Sequence, residues 1–360
     1  MAFLLSFYNI IMKQNNNEIY TGLEPKKMYK SYKKIIKKTW VSRNIIQNEN
    51  NTFWLFEKSV KFFLMLILFI ATPKTSWKNK SKSNELIDRT YQKFTAKEST
   101  FIPISLSFYF LISFVPILTI VIVLLSFING YNTVFLDVIL SRIIPGVKSI
   151  LNIPNFKINQ GVQYTTIGIL LFGSTWLASS GWGRFIYSQN YIYGHENLGN
   201  FLLNRVKGFF IVIGISIYLF ITSLIYISVY KLVSPRLSVT GELIYFYTSF
   251  MIYLIVILYF GFSLIYKLTP SFKLPWNSVL PGVLLTTIPN MIFIGVFGYL
   301  TSLINYSQYG AVGTFMYIAL FVSSLSYFIF IGLIVNESYY KTYYSNYTIA
   351  KKDFFIKKIK

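Results

Sequence analysis

Long apolar segments, separated by short polar ones, dominate the chain from residue 101 onwards. None of them contains an acidic or basic residue except for Lys231, at the very end of the third. A helix needs roughly 20 apolar residues to cross the hydrocarbon core of a bilayer, at a rise of about 1.5 Å per residue. The pattern therefore predicts an all-α polytopic membrane protein with six transmembrane helices. The six predicted spans cover residues 101–128, 163–182, 208–232, 243–266, 277–304 and 310–335.

The first 100 residues are polar and basic apart from one shorter apolar segment, residues 53–72. Its uninterrupted apolar part, residues 62–71, is too short to span a bilayer comfortably, and Lys58 and Lys61 stand at its start. We interpret the segment as an interfacial helix that lies in the membrane surface, with a seventh span as the alternative. The predicted organisation is a basic cytoplasmic amino-terminal region at 1–100, a six-span membrane domain at 101–336 and a basic cytoplasmic tail at 337–360.

Composition and charge agree with this topology and add an orientation. The chain is 54% hydrophobic and 13% charged, which is too apolar for a soluble protein of this length. Most of the 34 Lys and Arg residues lie in segments on the same side of the membrane as the amino terminus. The positive-inside rule therefore places both termini in the cytoplasm. The heavy use of Lys, Asn, Ile, Tyr and Phe is typical of an AT-rich bacterial genome, and the plasma (inner) membrane is the expected location.

The net charge of +22 would indicate a nucleic-acid partner in a soluble domain. Here the basic residues lie beside the predicted membrane, where anionic lipids attract them without any other partner. We therefore expect the bilayer and its anionic lipids to be the partners, and we do not expect nucleic acid.

Enzyme signatures are absent from the sequence. There is no cysteine, His195 is the one histidine, and neither a phosphate-binding glycine loop nor a Gly-x-Ser-x-Gly motif occurs. We predict no catalytic residue, no metal and no cofactor. Coupled transporters usually keep an acidic residue at membrane depth. No predicted span contains one, unless Glu337, just after the sixth span, is drawn inward. This pattern disfavours ion-coupled transport.

Proline and small polar residues inside the spans supply the candidate pathway or packing residues. In the fifth span, two prolines and an amide predict local unwinding, as in the broken helices where many transporters bind substrate; a bend for packing is the alternative. In the second span, small residues favour close helix packing. The candidates are Ser113 and Pro116 in the first span, Trp176 and Ser179 in the second, Pro281, Gly282, Pro289 and Asn290 in the fifth, Tyr309 and Gly310 at the last hairpin, and Glu337.

Four groups of residues follow an order and spacing that are known from other proteins. They are Ser107 to Pro116; Trp176 to Ser180 with Asn190, Tyr193 and Gly194; Tyr266, Pro270, Trp276, Pro281 and Gly282; and Tyr306, Tyr309, Gly310 and Gly332. In these features residues 95–337 resemble the YihY/BrkB family of bacterial inner-membrane proteins, historically labelled ribonuclease BN. Phe321 departs from the tryptophan usual in this family, and Glu337 lies three residues beyond the usual position of an acid.

The resemblance implies six spans in the inner membrane and no established reaction. Together with the proline-containing, uncharged spans, it favours a non-enzymatic protein that transports or gates a lipid-like or small neutral solute. The alternative is a membrane scaffold whose basic amino-terminal region recruits anionic lipid or a cytoplasmic partner. A ribonuclease is the least favoured hypothesis, because no acid–base pair or metal cluster is visible.

Overall fold

A computed structural model describes residues 52–96, 98–141, 160–302 and 310–351, and the described part is almost entirely helical. The candidate Tyr309 and most of the basic amino-terminal region lie outside the described residues. The helices are α1 (Thr52–Ala71), α2 (Lys80–Thr95), α3 (Glu98–Ser126), α4 (Tyr131–Val134), α5 (Gln160–Ile192), α6 (Phe201–Val233), α7 (Val239–Leu268), α8 (Trp276–Ser302) and α9 (Gly310–Tyr343).

Five helices in the described part of the chain are long and apolar enough to cross a membrane: α3, α6, α7, α8 and α9. This confirms the prediction of an all-α polytopic membrane protein. Helix α5 is 33 residues long but is not among these five, so the count of six spans stays a prediction. The same holds for α1, whose placement as an interfacial helix or a seventh span is not decided by its 20 residues.

Two helices differ from their predicted form. Helix α8 runs without interruption through Pro281 and Pro289, so the expected local unwinding of the fifth span is wrong. The Asn290 amide donates to the Thr286 carbonyl at 2.7 Å, which places this polar group within the helix itself. Helix α9 continues to Tyr343, past the predicted end at residue 335, and therefore carries Glu337 within its last turns.

The bundle consists of two groups of helices that α3 joins. Helices α5 and α6 pack closely on each other and on α3, whereas α7 packs mainly on α8, which packs on α9. Helix α9 also contacts α3, and α2 packs across the end of α9. Consecutive helices α6 and α7 share few contacts, which leaves space between the two groups.

Glycines allow the closest helix contacts within each group. A Cβ atom on Gly208 of α6 would clash with the Ser179 carbonyl of α5, and one on Gly282 of α8 would clash with the Gly332 carbonyl of α9. Small residues have this role in membrane bundles because they let two backbones approach. Ser179, predicted to be a packing residue, is fully buried at such a crossing.

The end of the bundle at which α3 begins and α9 ends is called the predicted cytoplasmic end. The chain after α9 returns across the end of α7 here. Phe272 forms an isolated β-bridge with Ala350, and the Lys351 ammonium donates to the carbonyls of Lys267, Leu268 and Pro270 at 3.2, 3.1 and 2.9 Å. A lysine at a helix carboxy terminus satisfies carbonyls that lack an intrahelical partner.

Candidate functional site: a membrane cavity

A cavity of about 600 Å³ lies among α3, α6, α7 and α9. This volume is within the range of about 300–1,000 Å³ that is typical of ligand pockets. Its lining is mostly aliphatic and aromatic, and none of its lining residues is charged. The side chains in the lining that carry a polar atom are Ser113, Trp182, Tyr218, Ser223, Tyr253 and Thr269.

The cavity lining is longest along α7 and shorter along α3, where it runs from Phe110 to Val121, and along α6, where it runs from Phe210 to Ser223. On α7 the lining runs from Phe250 to Leu268, and Thr269 directly after the helix also belongs to it. At a rise of about 1.5 Å per residue the α7 part covers roughly 27 Å, close to the ~30 Å hydrocarbon core of a bilayer. A ligand that fills the cavity would therefore extend along the hydrocarbon region.

Tyrosines close the gap between α6 and α7 in the half of the bundle away from the predicted cytoplasmic end. The Tyr218 hydroxyl donates to the Ile257 carbonyl at 2.8 Å, and the Tyr226 and Ser249 hydroxyls are 3.2 Å apart. The Tyr226 and Tyr253 rings pack with centroids 4.7 Å apart. Hydroxyl contacts and ring contacts therefore hold the two helices together in this half.

The cavity opens sideways in the other half, at a gap that we call the portal and define as Phe210, Gly214, Leu264 and Leu268. All four residues line the cavity, yet all four are also exposed at the protein surface, Phe210 by 57% and Leu268 by 62%. A Cβ atom on Gly214 would meet nothing within 4 Å. Since this surface is apolar and belongs to two helices that are long and apolar enough to cross a membrane, we expect the portal to face the bilayer.

Trp182 of α5 lines the cavity near the predicted cytoplasmic end. Its side chain is 7% exposed and packs against Phe110 and Phe185, with ring centroids 5.0 and 5.6 Å away. Its indole N–H has no hydrogen-bond partner among the described residues. Buried donors are usually paired, and the indole nitrogen is itself fully buried, so no ligand atom in the cavity contacts it in this arrangement.

The structure places the predicted residues of α3 and α5 at a helix crossing. The Ser113 hydroxyl donates to the Tyr109 carbonyl at 2.9 Å and to the Ala178 carbonyl on α5 at 2.8 Å, and Ser113 also lines the cavity. Pro116 is buried one turn further along α3 and is not a lining residue. Trp176 lies outside the cavity, with the Arg205 guanidinium 4.7 Å above its ring.

The predicted residues of α8 do not line the cavity. The Gly282 amide donates to the Asn336 side chain of α9 at 2.7 Å, and Pro281 and Asn290 are buried. The cavity lining includes one residue of α8, Ile294. Gly310 is the first residue of α9.

A buried polar cluster at the predicted cytoplasmic end surrounds Glu337. This carboxylate is fully buried and lies 3.2 Å from the Lys341 ammonium and 3.8 Å from that of Lys93 on α2. Tyr193 lies beside it, and burial together with the negative charge of Glu337 raises the pKa of the Tyr193 hydroxyl well above its ordinary value. Sequence reasoning placed Glu337 near this end but did not find Lys93, which is far away in the chain.

His195 belongs to the same end of the bundle and is buried, although it lies in a polar loop after α5 where a solvated side chain would be expected. It is 7% exposed, and its Nδ1 lies 2.7 Å from the Thr348 hydroxyl. Burial lowers the pKa of the imidazole, and the nearby Glu196 carboxylate opposes this shift. His195 thus fastens the segment after α9 to the loop after α5.

Comparison with known proteins supplies the family. The family model described as "Virulence factor BrkB" matches residues 90–353. The chain belongs to this family. The cavity, the portal and the Glu337 cluster all lie inside the matched BrkB region, whereas α1 precedes it.

A relative of this BrkB family protein is the "Putative ribonuclease-like protein YfkH" of Bacillus subtilis (strain 168). The two are 24% identical over 237 residues, which cover 62% of this chain and 83% of the relative. The ribonuclease-like label belongs to that protein's name. No solved structure gives a significant match to the chain.

Proposed function

We propose that this BrkB family protein moves or gates a lipid-like molecule across the membrane through the cavity among α3, α6, α7 and α9. The observation that carries the proposal is an apolar cavity of about 600 Å³ whose lining runs along α7 from Phe250 to Leu268 and includes exposed apolar residues at the portal. Binding sites for small molecules have this size and this apolar lining.

The lining decides between classes of solute. An ion that left water would need charged groups or many oxygen ligands to replace its hydration shell, and the lining residues carry no charge. An acyl chain needs only apolar contact. The portal also gives such a chain a path from the bilayer that avoids water.

Gly214→Leu tests the proposal because it puts a large side chain at the portal, where a Cβ atom meets nothing within 4 Å. Purified protein is reconstituted into liposomes that contain a trace of fluorescent phospholipid, and the transfer of this lipid between leaflets is followed by chemical quenching. We expect the wild type to accelerate transfer and Gly214→Leu to slow it by roughly tenfold, because a side chain of this volume occupies the path.

Gly173→Leu is the matched control. Gly173 lies on the exposed surface of α5, away from the cavity, and a Cβ atom there also meets nothing within 4 Å. Both substitutions replace a helical glycine and raise helix propensity equally, so Gly173→Leu should transfer lipid like the wild type. Equal transfer by both variants, or no transfer by the wild type, would refute the proposal.

A membrane scaffold is the second candidate, and the lysines between residues 26 and 38 favour it. Seven lysines in that segment would bind an anionic membrane surface or an acidic partner.

A further inference from the structure

We infer that the edge of the portal at the predicted cytoplasmic end binds the phosphate of an anionic phospholipid, and that Lys207, Lys267 and Lys351 attract this phosphate. We call these three residues the rim lysines. The acyl chains of the same lipid would enter at the portal. The inference rests on the proposed function, because it names the headgroup class of the lipid that the same cavity would take.

The first argument is the position of the rim lysines relative to the portal. On α6, Lys207 precedes Phe210 by three residues and Gly214 by seven, a spacing that places all three on one face of the helix. On α7, Lys267 follows the portal residue Leu264 by three residues. Each of these helices therefore carries a lysine about one turn from a portal residue, on the side of the predicted cytoplasmic end.

The second argument is that the chain after α9 adds a further positive charge at the same place. The Lys351 ammonium donates to three carbonyls at and just after the end of α7, those of Lys267, Leu268 and Pro270. An ammonium group has three N–H donors, and these carbonyls accept all of them. Lys351 therefore contributes its charge to the rim and leaves direct contact with a phosphate to Lys207 and Lys267.

The third argument is the mutual repulsion of the rim lysines. Burial and the positive charges of Lys267 and Lys207 lower the pKa of the Lys351 ammonium to about 8, and no acidic group in the described part of the chain is among the charges that shift it. The segments that carry the rim lysines, residues 201–233, 262–276 and 343–351, contain neither Asp nor Glu. A bound anion would relieve this repulsion, because a nearby opposite charge favours the charged form of an ammonium.

The fourth argument favours a lipid over a soluble anion. Phe210 and Leu268 at the portal are 57% and 62% exposed, so apolar surface lies directly beside the rim lysines. Basic pockets between membrane helices on the cytoplasmic side bind lipid headgroups. A phospholipid uses both the charges and the apolar surface, whereas a free phosphate uses the charges alone. Since the lining of the cavity carries no charge, the headgroup of the bound lipid stays at the rim.

The test measures lipid binding by the purified full-length protein in a nonionic detergent, with bound lipid counted by native mass spectrometry. The probes are phosphatidylglycerol and phosphatidylcholine with identical acyl chains, which differ in net charge, and glycerol 3-phosphate, which has no chains. We expect tighter binding of phosphatidylglycerol than of phosphatidylcholine, and no displacement of the bound lipid by an equal concentration of glycerol 3-phosphate. Equal binding of the two lipids would overturn the inference, and displacement by glycerol 3-phosphate would assign the rim to a soluble anion instead.

Lys207→Gln combined with Lys267→Gln removes two charges and keeps a hydrogen-bond donor at each position. We expect this variant to lower the preference for phosphatidylglycerol over phosphatidylcholine by roughly tenfold, as expected for two lysines beside an anionic lipid. Lys207→Arg combined with Lys267→Arg keeps both charges and should keep the preference. An equal loss in the arginine variant would show that packing, and not charge, sets the preference, and would contradict the inference.

Lys78→Gln combined with Lys80→Gln is the control for charge in general. Both lysines are exposed, just before and at the start of α2, and no residue of α2 lines the cavity. The control removes the same number of charges from the same predicted side of the membrane, so it should leave the lipid preference unchanged. A loss equal to that of the Lys207 and Lys267 variant would mean that the rim is not a specific site.

The two proposals can fail separately. If Gly214→Leu slows lipid transfer but the glutamine variant of Lys207 and Lys267 keeps the lipid preference, the transport proposal stands and the inference about the rim falls. If the glutamine variant loses the preference while neither the wild type nor Gly214→Leu affects transfer, the rim holds an anionic lipid that is not transported. The melting temperature of each variant shows that a loss of binding does not come from unfolding.

Discussion

At the scale of single residues, the buried Glu337 carboxylate depends on two neighbouring lysines for its compensating positive charge. It is fully buried, while Lys341 and Lys93 are 17% and 37% exposed. Breaking a buried ion pair typically costs about 3–5 kcal/mol, because an uncompensated charge stays behind. In Glu337→Gln the two lysines can reach solvent, so we expect a smaller loss of about 2 kcal/mol in the free energy of unfolding.

Thermal unfolding of the purified protein in detergent measures this effect, with Glu85→Gln as the control. Glu85 pairs with Arg89 at 3.0 Å on the exposed face of α2, where an ion pair contributes little. Glu85→Gln should leave the melting temperature almost unchanged, and Glu337→Gln should lower it by several degrees. Equal melting temperatures for the two variants would show that the buried pair contributes no more than a surface pair.

At the scale of helices, the contact between α8 and α9 depends on the absence of side chains at Gly282 and Gly332. A Cβ atom on Gly282 would meet the Gly332 carbonyl, which belongs to the backbone and cannot rotate away. We expect Gly282→Ala to destabilise the protein by about 1–3 kcal/mol, as overpacking of a tight contact does. Gly295→Ala on the same helix is the control, since the flexible end of Met251 lies opposite and can move.

The melting temperatures of Gly282→Ala and Gly295→Ala show whether the contact between α8 and α9 requires a glycine at position 282. A drop in Gly282→Ala with little change in Gly295→Ala supports the glycine crossing. An increase in Gly282→Ala, as helix propensity alone would give, would contradict it.

The helices also show which features of the fold could be predicted from the sequence. The start of α3 at Glu98 lies close to the expected 101, because a sharp change from charged to apolar residues marks it. The two prolines of α8 gave the wrong expectation, because neighbouring helices can satisfy polar groups beside a proline, and local sequence does not show such partners. The Gly282 amide, for example, donates to Asn336 of α9. The cavity could not be predicted either. It exists because α6 and α7 pack on different neighbours, which hydropathy does not encode.

At the scale of the whole molecule, the transport and scaffold hypotheses assign the function to different parts of the chain. Every residue that lines the cavity lies between Phe110 and Ile329, whereas the lysine-rich segment precedes α1. A chain that lacks residues 1–51 retains all lining residues. We therefore expect it to transfer lipid in liposomes as the full chain does, and to restore the phenotype of cells that lack the protein.

The full chain with Gly214→Leu is the reciprocal variant in the same cells. It keeps every lysine before α1 and fills the portal, so a transporter should lose its cellular function while a scaffold should keep it. Protein levels in the membrane fraction have to match for the comparison to hold. Complementation by Gly214→Leu together with failure of the truncated chain would move the function from the cavity to the basic segment, because the variants differ only in which of these two parts is intact.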